Sequence, residues 1–213
     1  MKVENTHIVA RARSEIFKML SECFSTHKNL TPGHINDLRN HMEKICPDAV
    51  PAVEKMSSSF AEHADTGELT IDYARLFIGP FALLSPPFGS VYLEQDRQVM
   101  GESTRNVIEL YMTFKLELAP DFHNAPDHII AELEFMYYLV FRELEALKCL
   151  DEDSRIYLHR SEKLFLETYL APWINEFTVN IEQHARTSFY RNLALATRRF
   201  IEKEQKYFSE NVL

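Results

Sequence analysis

The chain has 213 residues, 46% apolar and 26% charged, and its 23 Lys and Arg stand against 32 Asp and Glu for a formal charge of -9. That balance excludes a disordered or fibrous chain, allows one sizeable core without disulfide or metal staples, and repels the phosphate backbone of nucleic acid. Five glycines, about 2% against a usual ~7%, are too few for the turns of sandwiches, barrels or dinucleotide-binding sheets, so the predicted fold class is all-α.

In chain order, Ile8, Ala12, Ile16, Met19, Leu20 and Cys23 recur every three or four residues and predict an amphipathic helix ending near His27. Thr31 offers an N-cap with Pro32 at the first helical position, and Ile35, Leu38, Met42 and Ile45 carry the next stripe until Cys46-Pro47 stops it. Val53, Met56 and Phe60 sketch a third helix. Thr66-Gly67 interrupts, and Thr70 starts a helix carrying Tyr73, Leu76 and Phe77.

From Gly79 to Gly101 the periodicity breaks, because Gly79, Pro80, Pro86, Pro87, Gly89 and Gly101 all fall there. The interval is nevertheless apolar, with Phe81, Leu83, Leu84, Phe88, Val91 and Tyr92. Either these side chains fold back onto the core, or the paired prolines stiffen the backbone and display aromatics as a groove wall for an apolar peptide.

Ser103 is the expected cap of a helix bearing Val107, Tyr111 and Leu118 that closes at Ala119-Pro120. Pro126 takes a first-turn position, Asp127 suits the positive end of the helix dipole, and Ile129 to Leu147 form an apolar helix wide enough to lie centrally. A helix from about Glu152 to Leu170, a break at Pro172-Trp173, a short helix to about Ile181 and a last one from about Ser188 to Phe208 follow. The expected organisation is one helical domain over 1–213, with N-terminal helices over 1–79, a loop over 79–101 and a C-terminal helical core over 102–208.

No GxGxxG, P-loop, HExxH, GxSxG or paired ExxH motif is present, so neither catalysis nor a cofactor is expected. Cys23, Cys46 and Cys149 are far apart and form no CxxC, which fits a reducing cytoplasm. No stretch reaches the ~20 apolar residues that cross a bilayer, and the N-terminal segment lacks the apolar core of a secretory signal. Asp127 reads in two ways, as a helix-dipole residue or as a carboxylate beside an apolar cleft that suits a basic peptide. Glu132, one turn beyond His128, is positioned to orient that ring.

The segments DYARLFIGP (Asp72 to Pro80), PPFGSVYLE (Pro86 to Glu94) and APDHIIAELEFM (Ala125 to Met136), followed by YLAPWINEF (Tyr169 to Phe177) and SFYRNLALATRRFI (Ser188 to Ile201), resemble the TorD/DmsD/NarJ family of redox-enzyme maturation chaperones. The resemblance implies an all-helical cytoplasmic chaperone, not an enzyme, that binds the twin-arginine signal peptide of a molybdoenzyme precursor and delays its export until the cofactor is inserted. Carried over motif by motif, the implied signal-peptide site comprises Leu76 and Phe77, then Pro86, Pro87, Phe88, Ser90 and Tyr92, and finally Asp127 with His128. Phe81, Phe88 and Tyr92 stand where the DmsD-like branch usually has tryptophan. The resemblance further implies a monomer or a domain-swapped homodimer hinged near Gly101 or Pro120. Without a phosphate loop, no tight nucleotide site is expected. Two alternatives remain: a chaperone that grips only the mature part of its client, and a helical metal- or haem-binding protein using His123 and His128.

Overall fold

The computed structural model describes residues 2–26, 30–63, 65–79 and 83–210, with side chains from Thr6 onward. The helix end expected near His27 and the loop residues Pro80 and Phe81 lie outside the described residues. Among the described residues the secondary structure is helical and no strand forms: α1 (Lys2–Phe24), α2 (Pro32–Ile45), α3 (Val50–His63), α4 (Glu68–Tyr73), α5 (Gly89–Leu93), α6 (Glu102–Thr113), α7 (Ile129–Cys149), α8 (Glu152–Phe165), α9 (Ala171–His184) and α10 (Ser188–Glu210).

Local chemistry explains the ends. Thr31 Oγ1 accepts the His34 amide while His34 Nδ1 accepts the Thr31 amide, so two otherwise orphaned donors at the start of α2 are satisfied reciprocally. Gly79 leaves the wide turn Ala74–Ile78 with φ 73°, a backbone that side chains resist and glycine adopts freely.

Helix α7 runs between α1 and α8, α10 lies against α3 and α9, and α2 joins α1 to α3. The apolar stripes meet in one continuous core that includes Ile16, Leu20, Leu133, Met136, Phe177 and Phe200, all fully buried. Rings lock its centre. Phe77 meets Phe24 at 6.3 Å and Phe177 at 6.1 Å, and Phe24 meets Phe177 at 5.6 Å; such pairs add about 0.5–1.5 kcal/mol each beyond burial.

Four expected boundaries move. Helix α6 ends at Thr113 rather than Ala119, because the chain turns through Lys115 at φ 56° and the Leu116 amide returns to the Tyr111 carbonyl at 2.9 Å. Ser103 is not the cap of α6. Its amide and hydroxyl both donate to Glu94 Oε1 at 2.7 Å, so a carboxylate from the end of α5 fills the capping role. Pro126 precedes α7 instead of opening it, since His128 is the N-cap. Pro172 causes no break: the wide turn Leu166–Leu170 leads directly into α9, where a proline in the first turn lacks only an amide that would be orphaned anyway.

One polar cluster crosses the core. The buried Arg13 Nε lies 3.0 Å from both carboxylate oxygens of Glu204, and its Nη2 donates to Glu204 Oε2 at 2.7 Å and Glu162 Oε2 at 2.8 Å. Its guanidinium carbon sits 4.3 Å from the centre of the Tyr207 ring. Glu143 completes the cluster at 3.5 Å, leaving three carboxylates around one guanidinium, and burial pushes the Glu162 carboxyl well above its ordinary range despite the pull of Arg13. Removing the guanidinium strands buried carboxylates, so Arg13→Ala is expected to lower the unfolding free energy by about 3–5 kcal/mol in urea denaturation. A loss below about 1 kcal/mol contradicts the cluster's structural role.

Candidate functional site: a latched loop and an acidic aromatic groove

The Pro/Gly-rich segment is tied to the start of α7 by its own backbone. Gly89 donates its amide to the Asp127 carbonyl at 2.9 Å, Ile129 donates to the Pro87 carbonyl at 2.9 Å, and Phe88 and His128 form an isolated antiparallel bridge. The Asp127 carboxylate then accepts the Ser90 amide at 2.7 Å, capping the short helix α5 from a residue 37 positions away. Further back, Ser85 donates to the Leu76 carbonyl at 3.0 Å. Pro86 and Pro87 are thereby held between hydrogen bonds at both flanks, at Ser85 and Gly89.

This arrangement brings Pro87, Phe88, Ser90, Asp127 and His128 together and places them at different depths. Asp127 is 1% exposed and His128 3%, so in this conformation neither offers its polar group to solvent. The Asp127 carboxylate caps α5 instead of standing open at the start of α7. Leu76 and Phe77 face the core, Ser90 is fully buried, and Tyr92 stacks on Trp173 with ring centres 5.5 Å apart. Pro86, Phe88 and Tyr92 are half-buried and form the accessible rim of the loop. Both readings of this segment are therefore partly realised: most of it folds inward, and Phe88 stays at the surface against the His128 ring at 5.2 Å.

Glu132 does not orient His128. Its carboxylate accepts the Trp173 indole N–H at 3.1 Å, while His128 Nδ1 accepts the Ile130 amide at 3.2 Å and caps α7. Burial pushes the Glu132 carboxyl well above its ordinary range; the Trp173 hydrogen bond opposes the rise and the Asp127 charge adds to it. The same packing explains Gly89, where a Cβ would lie 3.0 Å from Trp173 Nε1 and 3.1 Å from Glu132 Oε1. His123 is exposed, and no cluster of metal-ligating side chains occurs among the described residues.

A second feature went unread in the sequence. Between α1 and the extended residues 116–118 lies a groove of about 360 Å³. Ala131, Glu134, Phe135, Tyr137 and Tyr138 of α7 line it, Leu116 and Leu118 form one side, and Glu22 stands on the other. Glu134, Tyr137, Tyr138 and Phe141 repeat at i, i+3, i+4 and i+7, so one face of α7 presents a stripe of partly exposed rings. The expected central helix thus spends part of its apolar width on a surface. Tyr111 joins the two features, because it lines the groove and donates its hydroxyl to the Pro126 carbonyl at 3.0 Å.

The helical scaffold thus holds an apolar rim and an acidic, ring-lined groove. Residues 40–179 match the family model described as nitrate reductase delta subunit, and the chain belongs to that family. The chaperone protein TorD of Psychrobacter sp. (strain PRwf-1) is 26% identical over 141 residues, 65% of this chain and 61% of that relative's own length. The Tat proofreading chaperone DmsD of Salmonella paratyphi A (strain ATCC 9150 / SARB42) is 29% identical over 191 residues, 90% of this chain and 84% of the relative. A solved structure described as a redox enzyme maturation protein from Archaeoglobus fulgidus shares the fold, with TM-score 0.55, 23% identity and coverage of 89% of this chain and 93% of that one. These two relatives are named as chaperones.

Two outcomes follow from the latch. Asp127→Ala leaves the buried Ser90 amide without a partner and is expected to cost about 1–3 kcal/mol and to expose residues 83–92 to limited proteolysis, whereas Asp127→Asn keeps an acceptor and most of the stability. Burial pulls the His128 imidazole down to about 4, so the unfolded chain binds the extra proton first as pH falls. Stability should therefore decline as pH drops from about 6.5 to 4, by at most about 3 kcal/mol, and His128→Asn should flatten that part of the profile. An unchanged wild-type and variant profile across this window contradicts the buried neutral cap.

Proposed function

We propose that this chain is a system-specific chaperone for redox-enzyme maturation that binds the twin-arginine signal peptide of a molybdenum-dependent reductase precursor and delays its export until the cofactor is in place. Membership of the nitrate reductase delta subunit family, together with a relative named as a Tat proofreading chaperone, is the observation that carries this. The physical properties of the surface agree with it. A signal peptide of this class is a cationic segment followed by an apolar one, and the chain offers a net charge of -9 and a rigidly held apolar rim at Pro86, Phe88 and Tyr92.

In this reading the nine residues assigned by resemblance divide by depth. Phe88, Pro86 and Tyr92 touch the apolar part of the peptide. Pro87, Ser90, Asp127 and His128 fix their position through the latch, and Leu76 and Phe77 anchor the segment's base in the core. A chaperone must also let go. A dissociation constant near 1 μM, about -8 kcal/mol, is tight enough to retain a precursor and weak enough for the export machinery to compete.

The test is capture of a panel of molybdoenzyme precursors, each produced with and without its signal peptide, followed by calorimetric titration of the signal peptide that supports capture. Capture is expected to require the signal peptide, and Phe88→Ala should weaken binding about tenfold through lost apolar contact while the protein stays folded. Equal capture of signal-less clients contradicts the proposal and points to a chaperone that grips the mature part.

A further inference from the structure

The acidic side chains of the groove line a ring-walled hollow without holding any group of the fold. Elsewhere the chain's inner carboxylates are spoken for: Asp72 accepts the Arg186 and Thr187 amides at 2.9 and 2.8 Å, Asp127 holds Ser90, and Glu204 holds Arg13. Glu22, Glu117 and Glu134 form no side-chain hydrogen bond or ion pair among the described residues, and Lys18 is the one cation that lines the groove with them. Glu22 and Glu134 also act on each other: burial first, and then the charge of Glu22, raises the Glu134 carboxyl. Two carboxylates that repel across a partly desolvated groove are stabilised by a cation placed between them.

The walls narrow the choice of cation. Tyr137 and Tyr138 line the groove beside the carboxylates, and Tyr138 already takes a guanidinium, accepting Arg142 Nη1 at 3.1 Å with the guanidinium carbon 5.7 Å from its ring centre, so aromatic walls here suit a planar guanidinium better than a compact ammonium. The groove is also not an isolated hole. A hollow of about 240 Å³ bounded by Ser25, Leu30 and His34 adjoins it at Glu22, and one of about 310 Å³ bounded by Phe114, Ala146 and Tyr157 adjoins it at Tyr138. The groove therefore opens onto further surface hollows beside Glu22 and Tyr138.

We propose that the arginine pair of the client's signal peptide binds in the groove between α1 and residues 116–118, held by Glu22 and Glu134, with the following apolar residues laid past Ala131 and Tyr111 towards the loop rim. The proposal rests on the signal-peptide function given above and assigns the charged end of that ligand to side chains outside the nine that the family resemblance implied. Tyr111 couples the two ends, since its ring backs the groove while its hydroxyl holds Pro126 next to the latch. Glu134 is exposed and Glu22 half-buried, so neutral substitutions there leave the core untouched.

The experiment is a fluorescence-anisotropy titration with two synthetic peptides, one with adjacent arginines ahead of a leucine- and alanine-rich stretch and one with both arginines replaced by glutamine. Each is measured against the wild-type chain and the Glu22→Gln/Glu134→Gln double variant, with circular dichroism as the check on folding. Wild type should prefer the arginine peptide by about tenfold or more, and the double variant should bind the two peptides alike, leaving the glutamine peptide's affinity unchanged. A double variant that keeps the full arginine preference overturns the groove assignment while leaving the signal-peptide function standing. A wild-type chain that binds neither peptide overturns both.

Discussion

The position of the loop depends on the grip of the α7 N-terminus, where the Asp127 carboxylate holds the Ser90 amide at 2.7 Å. Proline-rich chain has few amides to donate, so residues 83–88 are unable to organise themselves through a regular ladder or helix. The fold supplies the missing order from the start of α7, with Asp127 contributing its side chain to α5 and its carbonyl to Gly89, and Ile129 returning a bond to Pro87. Because α7 is packed between α1 and α8, its N-terminus is a fixed platform, and whatever it grips is fixed with it.

The chain's negative charge is divided between two tasks. Inside, carboxylates replace backbone and guanidinium partners that water would otherwise satisfy: Asp72 caps the approach to α10, Asp127 caps α5, Glu132 takes the Trp173 N–H, and Glu204 with Glu162 surrounds Arg13. Buried charge of this kind contributes specificity of packing more than net stability, because desolvation offsets most of the attraction. Around the groove the opposite holds. Glu22 and Glu134 line one groove, and the Glu22 charge adds to burial in raising the Glu134 carboxyl, a modest cost that the proposed cationic ligand would relieve.

Much of the fold was legible in the sequence because helical periodicity survives in single residues: Ile35, Leu38, Met42 and Ile45 line the buried face of α2, and Thr31 caps it as its spacing implied. What escaped was anything decided by partners distant in the chain. Pro172 reads as a break until the wide turn before it is seen to feed directly into α9. Ser103 reads as a cap until Glu94 is found occupying that role. Asp127 was visible as a carboxylate at a helix start, yet the helix it caps is α5 rather than its own. The groove left a trace in the Glu134, Tyr137, Tyr138 and Phe141 stripe, which periodicity could not separate from the core stripe of Leu133, Met136 and Val140 on the same helix. Glu22 left none, since a lone glutamate on the wet side of α1 acquires meaning only from α7 beside it.

The central claim is that a client's basic segment settles on the α1 and α7 surface while the latch stays closed beneath it. Amide chemical shifts and hydrogen exchange of the labelled protein, recorded as an arginine-pair peptide is added, test this most directly. The account predicts shifts concentrated at Glu22, Glu134, residues 116–118 and Phe88, with the Ser90 amide remaining slow to exchange throughout. Shifts gathered instead on the outer faces of α8 and α10, or a Ser90 amide that becomes fast on binding, would contradict it.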